Sequence, residues 1–268
     1  MDFENIFNQV LQETNHINYA ANNPGYYSGK MYRIQHLWQK DATLIDLGGS
    51  YDPGNAVLSH FGMNVTVIDY LEDYTKHKYN LTNNHNLAED EKIINSYKKE
   101  TLFKDKYNVN FVKADLLEID LNQYFKPNSI DVICSQHCLE HLHHSPKKLL
   151  QSAIDVLKPN GKIFIEVPNA ANIRKRLALL MGHTNYLSYA GFYNSEKYVG
   201  HIREYTVGDL EYLAQQLNLQ EVKIFGKNYY GSLYNVLPKQ LHHASDYLLQ
   251  KFPGLCGSIF LEGKKATV

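Results

Sequence analysis

Five short runs rich in β-branched and other apolar residues punctuate the chain as far as Asn169, and each stops at a turn signal. Thr43–Leu47 runs into Gly48-Gly49, Asn64–Ile68 into Asp69, and Val109–Lys113 into Ala114-Asp115; Ile130–Ser135 leads into a histidine-rich turn and Lys162–Val167 into Pro168-Asn169. Strands that are apolar on nearly every residue are buried on both faces. A chain that alternates them with helices is confined to a parallel sheet with helices on both sides. The expected fold class is therefore α/β, a doubly wound, mostly parallel sheet. Ser145-Pro146 reads as an N-cap followed by proline at the first helical position, with Leu149, Leu150, Ala153, Ile154 and Leu157 on one face. Thr206 caps a second helix carrying Leu210, Leu213, Ala214 and Leu217. Glu221–Phe225 and Ser258–Glu262 are two late strand candidates that can pair at a sheet edge.

Hydrophobic residues make up 44% of the 268, enough to fill the core such a sheet needs. The formal charge of −1 leaves no basic field for nucleic acid or an anionic membrane. Three cysteines, Cys134, Cys138 and Cys256, form no CxxC pair and read as reduced thiols. The N-terminal MDFENIFNQVLQ is acidic where a secretory leader is basic, and no run approaches the roughly 18–20 apolar residues of a membrane span. A cytoplasmic location is expected.

The glycine turn after the first run lies where a doubly wound sheet binds its ligand, at the carboxyl ends of the strands beside the reversal in strand order. Glycines there admit a ligand close to the backbone and offer it N–H groups. Asp69 at the end of the second run can accept both hydroxyls of a ribose. Asp115 at the end of the third can take a donor from an adenine amino group. Three such features on one sheet edge point to a nucleoside ligand, and the absence of GxGxxG argues against a nicotinamide dinucleotide.

The segments DLGGSYDPG, VTVIDY, VKADLLEID, IDVICSQHCLEHLHHSPKKLL, DVLKPNGKIFIEVPN and HIREYTVGDLEYLAQQLNL follow the order found in class I S-adenosylmethionine-dependent methyltransferases, which the chain resembles over roughly residues 30–225. It looks most like the subgroup whose fourth strand ends in an LEHL helix start, with glycan, secondary-metabolite and ubiquinone-type O-methyltransferases among its members. The resemblance implies a seven-stranded sheet with an antiparallel last strand and S-adenosyl-L-methionine as cofactor. It implies Gly48 against the methionine end, Asp69 on the ribose and Asp115 with Leu116 beside the adenine. The cofactor set taken together is Asp46, Gly48, Gly49, Ser50, Asp69, Tyr70, Asp115, Leu116 and Ser135. One departure stands out: the family spaces its glycines as DxGxGxG, whereas Ser50 and Asp52 hold the second and third glycine places here.

The expected organisation is one methyltransferase domain over 1–268: an N-terminal helical cap at 1–40, a cofactor-binding core at 41–168, a lid insertion at 169–205 and a C-terminal helix with a strand pair at 206–268. Residues 70–108 form a second connection longer than a crossover needs.

Past the fourth strand, where this fold faces the transferable methyl group, the chain reads Ser135-Gln136-His137-Cys138-Leu139-Glu140-His141-Leu142-His143-His144. Methyl transfer from a sulfonium needs donor and acceptor held in line, and a hydroxyl acceptor needs a base as well. Histidine suits that work. His137 and His141 are four apart and share a face if a helix begins here; with His201 of HIREYT they are the catalytic candidates. His137-x-x-Glu140-His141 also has a spacing that binds metal on a helix, but no metal ligand is assigned from it. The lid holds Tyr186, Tyr189, Tyr193, Tyr198, His201, Arg203, Glu204 and Tyr205, a mixture suited to a sugar or another hydroxylated acceptor. Arg174-Lys175-Arg176 reads as a solvated helix face rather than a phosphate site for a nucleotide-linked sugar. Ser135-Gln136-His137-Cys138 stands where many amino-methylating relatives carry Asp/Asn-Pro-Pro-aromatic, which favours oxygen as acceptor atom. The expectation is O-methylation of a small hydroxylated acceptor such as a sugar or glycan precursor, hence carbohydrate modification, by a homodimer. Its alternatives are N-methylation, methylation of a quinone-type phenol, and a non-catalytic scaffold that binds the nucleoside.

Overall fold

The computed structural model describes residues 1–22, 24–70, 98–183, 189–195, 200–228, 244–245 and 247–267. Seven strands form one sheet in the order β3-β2-β1-β4-β5-β7-β6. They are β1 Thr43–Leu47, β2 Asn64–Asp69, β3 Asn110–Lys113, β4 Ile130–Gln136, β5 Leu157–Pro168, β6 Leu219–Lys227 and β7 Ser258–Lys265. Strands β1 to β5 pair in parallel, and β7 runs antiparallel between β5 and β6. The expected antiparallel last strand is present, and the late pair extends the sheet beyond β5 with β6 outermost.

Strand residues alternate between two cores, as the period of two requires. Ile45, Leu47, Ile133, Ile163, Ile165 and Ile259 face one cluster; Leu44, Val132, Cys134, Phe164 and Phe260 face the other. The first cluster is covered by the helices α5 (Lys147–Val156) and α8 (Val207–Gln216), through Leu149, Leu150, Ala153, Leu210 and Ala214. Thr206 and Asp209 close a capping box at the start of α8, each side chain bonding the other's backbone N–H. The second cluster lies under α1 (Phe3–Glu13), α3 (Pro24–Leu37) and α4 (Pro53–His60), through Phe7, Leu11, Ile34, Leu37, Val57 and Leu58. A short α2 (Ile17–Asn22) joins α1 to α3. Burying one such leucine or phenylalanine contributes about 1.5–3 kcal/mol.

Two expectations change in detail. The segment after β4 does not begin a helix: Leu139–His141 is a single 3-10 turn, and α5 starts only at Lys147, with Pro146 at the cap position. His137 therefore shares no helical face with His141; its backbone is left-handed, at φ 49°. The long connection expected at 70–108 lies over 71–97 outside the described residues, as do Tyr186 and Tyr198 of the expected lid. What is described of residues 169–205 includes α6 (Ile173–Leu180) and α7 (Tyr189–Tyr193). The three cysteines are free and buried, as expected.

Candidate active site

Strands β1 and β4 are neighbours in the sheet while β2 follows β1 on the opposite side, so the strand order reverses at the carboxyl end of β1. The glycine turn lies there. Gly48 has φ 75° and donates its N–H to Ile68 O at 2.8 Å; a Cβ on it would stand 2.3 Å from Cys138 Sγ. Gly49 lies so close over Asp46 that a Cβ would be 2.2 Å from Oδ2. Ser50 occupies a left-handed conformation, φ 44°, at the place where the resembled family has glycine. A non-glycine residue in that conformation costs about 1–2 kcal/mol in backbone strain. Asp52, at the third glycine place, works as the N-cap of α4: its Oδ1 accepts from Gly54 N at 2.7 Å, with Pro53 as the first helical residue.

The loop is also held from below by α3. Arg33, fully buried, donates Nη2 to Asp46 Oδ2 and to Asn55 Oδ1, each at 2.7 Å, and places Nη1 3.4 Å from Asp52. Lys30 pairs with the other oxygen of Asp52. Asp46, among the expected cofactor residues, is buried with its Oδ2 taken by Arg33 and Asn55, and supports the turn from within.

Asp69 ends β2 with its carboxylate accepting from Ser50 N at 2.8 Å. Burial, only partly offset by the Ser50 and Tyr70 backbone N–H groups, pushes its pKa up to about 6. Tyr70, beside it, is half exposed. Asp115 is exposed, one oxygen taking Leu117 N at 2.9 Å, and Leu116 packs into the first core next to Gly48. Ser135 is buried and donates its hydroxyl to Leu47 O at 3.3 Å, clamping β4 to β1 at the turn. The cofactor candidates are thus brought to one edge, with Asp46 and Ser135 beneath the surface and Gly48, Ser50, Asp69 and Tyr70 around it.

Along the same edge, at the ends of β4 and β5, lies a cluster of histidines and carboxylates. His137 Nε2 is 3.2 Å from Glu166 Oε1, and its Nδ1 is 3.5 Å from Glu140 Oε1. Burial alone would lower its pKa; the Glu166 and Glu140 charges override that and push it up to about 10. His137 is thus an imidazolium at neutral pH, able to donate hydrogen bonds but not to take a proton. Glu166 accepts from Gln136 and His137, whose charge holds its carboxyl low despite burial.

His141 donates Nδ1–H to Gly200 O at 3.3 Å, and His201 donates Nδ1–H to Glu204 Oε1 at 2.8 Å. A carbonyl or carboxylate oxygen can only accept, so the partner fixes the tautomer and makes Nε2 the lone-pair nitrogen of each neutral ring. Each Nε2 lies 4.0 Å from Glu140 Oε1, and the two rings meet edge to face with centroids 4.9 Å apart. The structure thus joins His141 to His201, a pairing that spacing in the sequence does not show. The Glu140 carbonyl makes the join by accepting from Ile202 N at 2.7 Å and Arg203 N at 3.3 Å. Tyr205, Glu204 and Arg203 anchor the same segment: Tyr205 to Leu139 O, Glu204 to Lys175, and Arg203 to Asp209. Arg176 donates to the carbonyls of Ala171 and Gly254, so with Lys175 it helps hold this segment, while Arg174 is exposed. A cleft of about 620 Å³ between α5 and α8 is lined by Leu142, Lys147, Arg203, Tyr205 and Tyr212 among others, but by none of Glu140, His141 or His201.

Comparison with known proteins gives a consistent picture. A family model described as a methyltransferase domain matches residues 19–224, more than half of the chain. No curated protein matches it in sequence. Among solved structures, the chain is similar to an S-adenosylmethionine-dependent methyltransferase from Thermotoga maritima, at 11% identity and a TM-score of 0.55 over 98% of this chain and 99% of that one. It is similar to a phosphoethanolamine N-methyltransferase from Haemonchus contortus, in complex with phosphomonomethylethanolamine and S-adenosylhomocysteine, at 15% identity and a TM-score of 0.53. There the match covers 100% of this chain but spans only 61% of the other. At these identities the likeness is one of fold.

Proposed function

The chain belongs to the methyltransferase-domain family, with S-adenosylmethionine as methyl donor, and on that premise we propose that it O-methylates a small hydroxylated acceptor, a sugar or glycan precursor. The observation that carries the acceptor side is the pair His141 and His201, two Nε2 atoms turned toward one carboxylate at the edge where the donor binds. On this reading the donor's adenosine lies along Gly48, Ser50, Asp69 and Leu116, with Asp69 accepting from the ribose hydroxyls. An acceptor oxygen attacks the methyl carbon in line; the carbon–sulfur bond breaks, its electron pair stays on sulfur, and S-adenosylhomocysteine leaves. The hydroxyl proton passes to Nε2 of His141 or His201, while His137, charged by its two carboxylates, orients the acceptor by donating to it. Residues 1–40 act as a cap and 169–205 as the lid over this acceptor.

Turnover with a panel of hydroxylated sugars is the test. His141→Ala and His201→Ala each lower kcat about 10²-fold or more, while calorimetric titration with S-adenosylmethionine stays within twofold of the parent. Normal turnover in both variants removes the base assignment; no donor binding by the parent removes the enzyme reading itself. A second reading, N-methylation, is favoured by Glu140, whose two buried oxygens accept from no described residue and could balance an ammonium acceptor. Turnover of small amines but not of sugars in the same panel selects it.

A further inference from the structure

The cleft between α5 and α8 takes no part in the chemistry at the donor edge. It exists because the chain leaves the 3-10 turn extended at Leu142, ψ 125°, and begins α5 only at Lys147. Residues 143–146 therefore run as one wall, and the opposite wall is α8 with the segment that leads into it. The floor is apolar: Leu139, Leu150, Tyr205 and Leu217 belong to the first core, and half-buried Leu142 and Leu213 pack against it. The volume of about 620 Å³ is that of a site for a small organic molecule.

The charge around this floor is one-sided. Lys147 and Arg203 bring two cations to the lining, and Asp209 brings its one acid. Asp209 is already committed: Oδ2 accepts from Thr206 N at 2.8 Å and Thr206 Oγ1 at 2.7 Å, and Oδ1 accepts from Arg203 Nη2 at 2.9 Å. That pairing uses Arg203 as well. Lys147 is exposed, and among the described residues its ammonium meets no carboxylate. It stands on the first turn of α5, whose cap residue Pro146 makes no side-chain hydrogen bond, so the positive end of the helix dipole adds to it. His143 and His144 line the same wall and offer further N–H donors.

We propose that this cleft binds a small amphiphilic anion, with an apolar body on the leucine floor and one phosphate or carboxylate at Lys147. A wholly apolar ligand leaves the ammonium without a counter-charge, and a simple anion leaves the floor in water. A molecule with both parts answers both. The cleft is lined by none of Gly48, Ser50, Asp69, His141 or His201, so the inference does not rest on methyl transfer. The occupant would lie behind the segment that carries His201: Ile202, whose N–H bonds Glu140 O, and Tyr205, whose hydroxyl donates to Leu139 O at 3.5 Å, both line it.

The test titrates the full chain with n-octyl phosphate by calorimetry, without methyl donor or acceptor, and with 1-octanol and inorganic phosphate as controls. The expected result is one equivalent per chain, bound at least about tenfold more tightly than either control. Lys147→Glu, a residue that suits a first helical turn, lowers the affinity for octyl phosphate at least about tenfold and leaves that for octanol within about twofold. Lys148→Glu makes the same charge change on the next residue, outside the cleft lining, and stays within about threefold of the parent. Leu213→Ser, on the floor, weakens octyl phosphate and octanol together by about tenfold, with circular dichroism confirming a folded chain. No saturable uptake of octyl phosphate, equal losses in the two lysine variants, octanol binding as tightly as octyl phosphate, or parental affinity in Leu213→Ser overturns the proposal. Sedimentation covers the remaining occupant: a dimer that Lys147→Glu dissociates gives the cleft to a second copy of the chain and overturns it as well.

Discussion

Asp69 carries a carboxyl that burial pushes up to about 6, and the ribose hydroxyls it is proposed to accept require it ionised. Below that pH the empty site holds a proton that donor binding must expel. The dissociation constant for S-adenosylmethionine is therefore expected to rise about tenfold per pH unit below pH 6 and to level off above 7. Calorimetry between pH 5 and 8 checks this, with Asp69→Asn binding weakly and without the slope; a flat parental profile contradicts the ribose assignment. The sign for stability is opposite to that of a salt-bridged acid. Because the folded pKa lies above the unfolded one, this carboxyl makes the empty protein less stable as pH climbs from about 4 to 6. Residues such as Gly48 and Asp69 were legible in the sequence because a strand end and a turn identify themselves locally. Arg33, Glu140 and Glu166 were not singled out as a network, since their meaning comes from partners such as Asp46, His201 and His137 that only the fold brings near.

At the scale of elements, α3 does more than cover the sheet. Its Arg33 guanidinium and Lys30 ammonium support the glycine turn through Asp46, Asn55 and Asp52, and that support accompanies the strained Ser50. Arg33→Met leaves Asp46 buried without its counter-charge. The variant is expected to lose about 3–5 kcal/mol in denaturant unfolding and to bind the donor at least tenfold more weakly. Unchanged affinity in a folded variant would detach α3 from the turn. The sequence marked 1–40 as helical by pattern, yet no pattern tells which helical arginine is turned inward. The LEHL segment shows the reverse limit: its composition suits a helix start, but the Ile202 and Arg203 bonds to the Glu140 carbonyl hold it as one 3-10 turn.

For the molecule as a whole, a mostly parallel sheet was implied by the alternating apolar runs and its seven strands with an antiparallel last one by family resemblance, and the strand pairing agrees. The late strands were legible as strands, though not the insertion of β7 between β5 and β6. Phe260 of β7 binds this half of the sheet together, stacked on Phe225 with centroids 4.9 Å apart and tilted against Phe164 at 5.6 Å. Phe260→Ala is expected to cost about 3–5 kcal/mol in thermal or denaturant unfolding. Donor affinity of the protein that remains folded should stay within twofold, because the β1–β4 crevice lies on the other side of β5.

The position of β7 bears on how the chain is made. When β6 leaves the ribosome, its neighbour in the finished sheet does not yet exist, and the open side of β5 has nothing to pair with. Phe164, Ile165 and Val167 belong to that uncovered strand. Until Ser258–Lys265 has been synthesised, the nascent chain presents an unpaired apolar edge to other molecules. Its hazardous interval during translation is therefore a late one, set by the roughly thirty residues between β6 and β7.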